Sequence, residues 1–287
     1  MKEPNIIILA GGISSRMKKS NSLLDGINTN LLNEVHIKSK SMLGVGINSR
    51  PFLDYLLSNI ESAGYQNVVI VIGEKDPSIY DYYEREGKRD QFKNLSITYA
   101  TQRIPAGRNK PLGTADALLV ALKSRPDWKS QSFTVCNSDN LYSVRALKTL
   151  MNDVHNNALI DYDQSALRFD PVRIQAFSVI HKDKDGFLVD IIEKPSPEEI
   201  EKAKDINGRI GVSMNIFRFS YDMILPFLES VPLHPIRQEK ELPTAVKLMV
   251  EKYPHSVFTI PLSEHVIDLT SPSDIKNVQE YLRNEFP

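Results

Sequence analysis

The apolar residues in the first half of the chain follow two patterns, continuous runs and helical spacing. Uninterrupted aliphatic runs, such as residues 68–72, are typical of strands buried on both faces of a parallel sheet. Between these runs, apolar residues recur at the spacing of one helix face. The predicted strands are residues 6–9, 68–72, 97–100 and 133–136, and the predicted helices begin near residues 52 and 114. This order predicts a doubly wound, mostly parallel sheet with helices on both faces.

The second half of the chain mixes strands and helices less regularly. Predicted strands cover residues 174–180, 187–192 and 211–219, and predicted helices cover residues 221–228, 242–252 and 271–282. Together the two halves predict a mixed, Rossmann-like sheet in a single α/β domain of three layers (α/β/α) over residues 1–287. Residues 18–39 are polar, and we interpret them as a long active-site loop, with an ordered linker as the alternative.

Composition excludes several classes of function. Lys and Arg number 35 against 36 Asp and Glu, so the formal charge of −1 gives no field that would attract nucleic acid or an anionic membrane. Cys136 is the only cysteine, which excludes an intrachain disulfide and a thiolate metal cluster. No apolar run approaches the roughly 18–20 residues that a membrane span needs. We therefore expect a cytoplasmic protein that binds neither nucleic acid nor membrane.

The segment after the first strand carries the strongest chemical signal. It reads Leu9, Ala10, Gly11, Gly12, Ile13, Ser14, Ser15, Arg16 and Met17. Two glycines at a strand end let the backbone approach a phosphate or a base, and successive N–H groups can bind oxyanions. Arg16 adds a guanidinium fork that suits phosphate. Two glycines alone would be an ordinary turn, so the functional interpretation depends on the whole string.

This string resembles the signature loop of the sugar-1-phosphate nucleotidyltransferases, and segments similar to the family's later motifs follow in order. These segments are Lys40 with Arg50-Pro51, Gln102 with Gly113-Thr114-Ala115, Asn137-Ser138-Asp139-Asn140, Glu193-Lys194-Pro195, residues 212–217, and Asp268-Leu269-Thr270. The resemblance implies a GT-A-like fold. It also implies transfer of a nucleotidyl group from an NTP to a sugar 1-phosphate, with release of pyrophosphate.

The resemblance assigns roles to individual residues. The nucleotide would lie in the half formed by residues 1–150 and the sugar phosphate in the half formed by residues 151–287. The implied catalytic residues are Arg16, Lys40, Asp139, Lys194 and Asp268. The implied nucleotide-binding residues are Leu9, Ala10, Gly11, Gly12, Ser14, Ser15, Gln102, Gly113 and Thr114. The implied sugar-phosphate-binding residues are Asn140, Glu193, Lys194, Ser213 and Asn215.

Charge explains why two aspartates are needed. Both reactants are anionic, so the site must hold like charges together and stabilise the charge that develops. Mg²⁺ does this with one or two carboxylates and the oxygens of the substrate phosphates. Asp139 and Asp268 are the expected Mg²⁺ ligands. A phosphate dianion is already a nucleophile near neutral pH, so no general base is expected.

Several positions depart from the usual family pattern. Ser14 and Asn215 stand where glycine is usual, and extra residues that include Arg108 and Lys110 lengthen the segment between Gln102 and Gly113. Lys38 competes with Lys40 as the phosphate-binding lysine. The base and the sugar remain open, although Ser213-Met214 resembles the glucose pocket of ADP-glucose-forming members. The sequence also leaves open whether the chain forms a homo-oligomer.

Three other functions compete with this interpretation. A nucleotidyltransferase for a non-sugar acceptor, of the molybdenum-cofactor type, usually has glycine after the methionine, where Lys18 stands here. A glycosyltransferase would be expected to have an Asp-x-Asp pair, whereas residues 137–139 supply one carboxylate. A catalytically silent regulatory homologue is disfavoured because Arg16, Asp139, Lys194 and Asp268 are all present.

Overall fold

The computed structural model describes residues 4–13, 17, 31, 34, 35 and 37–286. Its strands are β1 Asn5–Leu9, β2 Asn67–Gly73, β3 Ser96–Gln102, β4 Ser132–Asn137, β5 Asn140–Leu141, β6 Ala158–Asp163, β7 Val179–Lys182, β8 Leu188–Ile192, β9 Gly211–Ser220, β10 Phe258–Leu262 and β11 Ile267–Asp268. Its main helices are α1 Phe52–Ala63, α2 Thr114–Ser124, α3 Val144–Asn152, α4 Pro171–Gln175, α5 Pro197–Lys202, α6 Tyr221–Ser230, α7 Leu242–Lys252 and α8 Ile275–Glu285.

The main sheet is mixed, and its first-half strands are parallel. Within the described residues it has nine strands, in the spatial order β10-β6-β9-β4-β1-β2-β3, with the β7–β8 hairpin attached to β9. β1 pairs in parallel with β2 and β4, and β2 pairs in parallel with β3. β9 runs antiparallel between β4 and β6. β5 and β11 form a separate antiparallel pair.

Helices cover both faces of the sheet. Successive residues of β1 enter different cores, with Ile6 and Ile8 on one face and Ile7 and Leu9 on the other. Apolar residues of α1, α3 and α8 pack on the Ile6 face, whereas those of α2, α6 and α7 pack on the Ile7 face. The predicted mixed, mostly parallel sheet in a three-layer α/β/α arrangement is therefore confirmed.

One predicted strand is wrong in its first half. Residues 174–180 read as an apolar run, but the chain forms α4 and enters β7 only at Val179. Asp170 explains the difference because its side chain accepts a hydrogen bond from the Val172 backbone N–H at 2.9 Å, and Pro171 occupies the first helical position. A helix start of this kind overrides the apolar pattern that follows it. The strands β6 and β10 are additions to the predicted set.

Residues 18–39, interpreted from the sequence as an active-site loop, lie largely outside the described residues. Among the described ones, Leu31 and Val35 are buried in the core on the Ile6 face. The Glu34 carboxylate accepts a hydrogen bond from the Gly44 backbone N–H at 2.9 Å. The described part of this stretch is thus attached to the core.

Asp54 on α1 is a buried polar junction, with only 1% of the residue exposed. The Tyr83 hydroxyl donates to one carboxylate oxygen at 2.8 Å, and the Tyr82 hydroxyl donates to the other at 3.0 Å. Gln91 and Arg50 donate to the second oxygen at 3.2 and 3.4 Å. One carboxylate therefore connects α1 with the segment between β2 and β3.

Replacing Asp54 should destabilise the fold. Asp54→Ala leaves the buried Tyr83 hydroxyl without its acceptor, and we expect the free energy of unfolding to fall by about 3 kcal/mol. Urea unfolding followed by circular dichroism measures the loss. Asp127→Ala is the control because the Asp127 side chain is exposed and pairs with Arg125 at the surface, so its effect should be small. Equal losses in the two variants would contradict the role assigned to the junction.

Candidate active site

A cleft of about 440 Å³ opens at the carboxyl ends of β1 and β4. Ligands bind at this edge in open α/β sheets because the loops there converge from neighbouring strands. Among the residues predicted from the sequence, the cleft is lined by Leu9, Ala10, Gly11, Gly12, Lys40, Gln102, Gly113, Thr114, Asp139, Glu193 and Asn215. The fold thus gathers predicted residues that lie more than 200 positions apart in the chain.

Gln102, at the end of β3, is fixed in the cleft. It is 2% exposed, and its amide nitrogen donates to the Gly113 carbonyl at 2.9 Å and to the Asp116 carboxylate at 2.8 Å. Its amide oxygen lies beside Gly11, where an added Cβ would approach it to 2.9 Å. Gly11 is therefore needed for this close approach, and the donors of Gln102 are already used within the protein.

Gly113 makes a second close approach at the start of α2. Its φ is +110°, and an added Cβ would lie 2.6 Å from the Lys240 carbonyl oxygen. The same carbonyl accepts a hydrogen bond from the Ala115 N–H at 3.0 Å, and the Thr114 hydroxyl accepts one from the Leu242 N–H at 2.9 Å. The turn that begins α2 is thus fastened to the segment before α7.

Lys40, rather than Lys38, lines the cleft. Its ammonium group forms an ion pair with the Asp139 carboxylate, and both residues line the cleft. Lys38 instead pairs with Glu34 at 2.7 Å, one helical turn away. The structure therefore places Lys40 where the sequence left two candidates.

The β5–β11 pair brings Asp139 and Asp268 together. Asp268 is the ladder partner of Asn140, the residue that follows Asp139. The Leu269 N–H also donates to the Asp139 carbonyl at 2.8 Å. Burial raises the pKa of the Asp268 carboxyl above its ordinary value, and the negative charge of Asp139 raises that pKa further. The two carboxylates are thus close enough to repel one another.

Arg173 is a site residue that the sequence did not reveal. Its guanidinium forms ion pairs with Asp268 and with Asp274, which precedes α8. It also lies over the Phe169 ring, 4.6 Å from the centroid. Arg173 is on α4, where the apolar pattern predicted a strand in part. No motif includes Arg173, so its position could not be predicted. Its charge opposes the rise in the pKa of Asp268.

A second charged group in the cleft was also missed. We call it the charged wall, and it consists of Lys110, Glu193, Arg237, Glu239 and Glu241. Arg237 forms ion pairs with Glu193 and, at 2.7 Å, with Glu241. Lys110 pairs with Glu239 at 2.5 Å. Only Glu193 of this group lies in a predicted motif, and the density of charges between residues 237 and 241 was the available signal.

A model of the nucleotidyl transferase family matches residues 36–278 of the chain. The chain belongs to the nucleotidyl transferase family. The matched range includes Lys40, Gln102, Asp139, Glu193 and Asp268, whereas the glycine-rich string of residues 9–17 lies before it. The family expected from the sequence motifs is confirmed.

The relatives that the chain matches carry several different names. The bifunctional protein GlmU of Staphylococcus epidermidis is 24% identical over 246 residues, which cover 85% of this chain and 45% of GlmU. The UTP–glucose-1-phosphate uridylyltransferase YngB of Bacillus subtilis is 26% identical over 211 residues, covering 67% of this chain and 68% of YngB. The chain thus spans less than half of the first of these relatives.

Solved structures share the fold of this nucleotidyl transferase. A UDP-glucose pyrophosphorylase complexed with UDP-glucose superposes with a TM-score of 0.70 at 16% identity, covering 99% of this chain and 100% of the other. A UDP-glucose pyrophosphorylase from Acinetobacter baumannii gives a TM-score of 0.69 at 16% identity, covering 100% and 95%. At this identity the likeness shows the fold.

Four predicted site residues of this family member do not line the cleft, namely Asn140, Lys194, Ser213 and Asp268. Lys194 is exposed and does not line the cleft, and its φ is +49°. Asn140 and Ser213 are buried beside the cleft lining, with the Tyr142 hydroxyl donating to Asn140 at 3.3 Å. Asn215 lines the cleft with φ +56°, a conformation that explains why related proteins can use glycine there.

Part of the glycine-rich string is not described. Ser14, Ser15 and Arg16 lie outside the described residues, so their predicted roles stay predictions. Met17, which follows them, is buried in the core on the Ile6 face. None of the helices in the described part of the chain is long and apolar enough to cross a bilayer.

Proposed function

We propose that this nucleotidyl transferase joins the nucleotidyl group of an NTP to a sugar 1-phosphate and releases pyrophosphate. The observation that carries the proposal is that Asp139 and Asp268 lie next to one another beside a cleft, and that the same cleft is lined by Gly11 and by the Gln102 side chain packed against it. Two adjacent carboxylates suit phosphoryl chemistry, and the glycine approach suits a flat base. Relatives named for glucose-1-phosphate uridylyl and adenylyl transfer support the acceptor class.

The chemistry of the carboxylate pair fits a divalent cation. In the described ranges no group of three or more His, Cys, Asp or Glu side chains is arranged to hold a metal ion. Mg²⁺ does not need such a group, because it accepts one or two carboxylates and completes its shell with phosphate oxygens and water. Burial and the charge of Asp139 both raise the pKa of Asp268, and a divalent cation held by the two carboxylates would offset this repulsion. Asp139 and Asp268 would hold Mg²⁺, which when bound neutralises charge on the transferred phosphate.

Residues of the chain would orient the two substrates. Gln102 has both amide donors committed, so its oxygen would accept a hydrogen bond from a base N–H group. Lys40 would exchange its contact with Asp139 for oxygens of the departing pyrophosphate. Glu193 would accept hydrogen bonds from the hydroxyls of the sugar.

The substrate supplies its own nucleophile. The phosphate group of the acceptor is a dianion near neutral pH, so holding it in line with the α-phosphorus supplies much of the rate. Arg16, Ser14 and Ser15 would bind the NTP phosphates, and Lys194 would approach the acceptor phosphate from the exposed end of β8. The same reaction could use either a pyrimidine or a purine, since both present an N–H group to Gln102.

Pyrophosphate release tests the reaction. The wild-type protein, with Mg²⁺, should release pyrophosphate only when one NTP and one sugar 1-phosphate are both present. Asp139→Asn should lower turnover at least about 100-fold, because it removes a charge that the transition state requires. Its melting temperature should stay within a few degrees of wild type, because asparagine keeps the size of the side chain and the lost charge also removes the repulsion with Asp268. Folded wild-type protein that is silent across all NTPs and sugar 1-phosphates would refute the proposal.

Arg173 should compete with the metal ion for Asp268. Arg173→Gln frees the Asp268 carboxylate, so Mn²⁺ should bind the variant about tenfold more tightly, equivalent to about 1.4 kcal/mol. Isothermal titration with Mn²⁺ alone measures the change without turnover. Arg125→Gln is the control because Arg125 pairs with the surface residue Asp127. Unchanged or weaker Mn²⁺ binding in Arg173→Gln would show that Arg173 does not guard the metal site.

A further inference from the structure

Two loops meet over the cleft. The inserted loop is residues 103–112, between β3 and α2, and the capping loop is residues 231–241, between α6 and α7. The Arg108 guanidinium donates to the Gln238 carbonyl, and the Lys110 ammonium donates to the Arg237 carbonyl at 2.7 Å. The Lys240 N–H donates to the Leu112 carbonyl at 2.5 Å. The extra residues of the inserted loop, which lengthen it relative to the usual family pattern, therefore contact the capping loop.

The capping loop contacts both the nucleotide side of the cleft and the Glu193 carboxylate. Toward the nucleotide side, the Lys240 carbonyl accepts from Ala115, and Gly113 has no room for a side chain against it. Toward Glu193, the loop presents Arg237, whose guanidinium reaches the carboxylates of Glu193 and Glu241. One short loop thus connects the turn that holds Gln102 with the carboxylate expected to contact the sugar.

Arg237 keeps two like charges together. Glu241 is 8% exposed, and its pKa is raised by burial and by the negative charge of Glu193. A planar guanidinium can satisfy both carboxylates at once, whereas an ammonium group offers a single point of charge. Without the guanidinium, repulsion would turn the less buried Glu193 carboxylate away from Glu241 and change its direction in the cleft.

We propose that Arg237 is a positioning residue that sets the Glu193 carboxylate for the hydroxyls of the sugar, and that Lys110 of the inserted loop holds Arg237 in place. This inference rests on the proposed function. It gives a structural role to the inserted loop, although the chemical reaction does not need that loop. It also defines the acceptor further. The charged wall has three carboxylates and two cations, so it suits a sugar ring that carries hydroxyls and no carboxylate of its own.

Steady-state kinetics with the sugar 1-phosphate and the NTP varied in turn test the inference. Arg237→Gln should raise the KM for the sugar 1-phosphate about tenfold, while the KM for the NTP stays within about twofold. Arg237→Lys should not recover the loss, because an ammonium group cannot bridge both carboxylates. Lys110→Ala should raise the same KM by a smaller factor, and Lys110→Arg should recover most of it. Lys123→Ala is the matched control, since Lys123 forms an exposed pair with Glu229 at 3.7 Å.

The outcomes separate the two levels of the proposal. If the wild-type protein turns over no sugar 1-phosphate, the proposed function fails and this inference fails with it. If the wild type is active and Arg237→Gln leaves the KM for the sugar 1-phosphate unchanged, only the inference is overturned. Equal rises in the KM values of both substrates would also overturn it, because they indicate a general distortion of the cleft.

The double variant Arg237→Gln/Lys110→Ala tests whether the two residues act through one contact. Its KM for the sugar 1-phosphate should be no higher than that of Arg237→Gln. Additive rises in this KM would contradict the role assigned to Lys110, because they would show that it acts separately.

Discussion

Repulsion between two carboxylates is the constraint on which this site depends. Asp139 and Asp268 are brought side by side by a two-residue strand pair, and each must be compensated in a partly buried setting. Lys40 compensates one carboxylate and Arg173 the other. The two cations come from different parts of the chain, the segment before α1 and helix α4, so the compensation of the carboxylates depends on the tertiary fold. The local fold is therefore organised around a charge problem that a divalent cation would solve more fully.

The rest of the cleft follows the same principle of internal compensation. Among its described side chains, Lys40, Lys110 and Arg237 are each paired with a carboxylate of the same cleft. An anionic substrate entering it must displace these pairs or bring a cation with it. Because these protein charges are already paired, we expect the cleft to bind simple anions weakly and to favour an anionic ligand that is accompanied by a cation. The backbone, through Gly11 and Gly113, contributes shape rather than charge.

Much of the fold could be predicted because the first-half strands are apolar runs with helices between them. The strand-end positions of Gly11, Gln102 and Asp139 could be predicted for the same reason, since each follows a recognisable strand. Their roles come from the resemblance to a family and stay predictions. Residues 174–180 show where the pattern fails, because the Val172 N–H donates a hydrogen bond to the Asp170 carboxylate and so starts a helix that extends into the apolar run. A single capping contact was enough to hide α4, and with it Arg173.

The residues that could not be predicted share a physical property. Arg173 and Arg237 act through ion pairs with residues far from them in the chain, and an arginine in sequence resembles any solvated arginine until the fold supplies its partners. Arg173 lies 95 positions from Asp268, and Arg237 lies 44 positions from Glu193. The periodicity of apolar residues predicts which side chains are buried, and family motifs predict which residues contact the substrate. Neither predicts a cationic side chain that pairs with a carboxylate, because such a pair is formed only by a tertiary contact. The two arginines that pair with these carboxylates are therefore recognisable only once the strands and loops are placed.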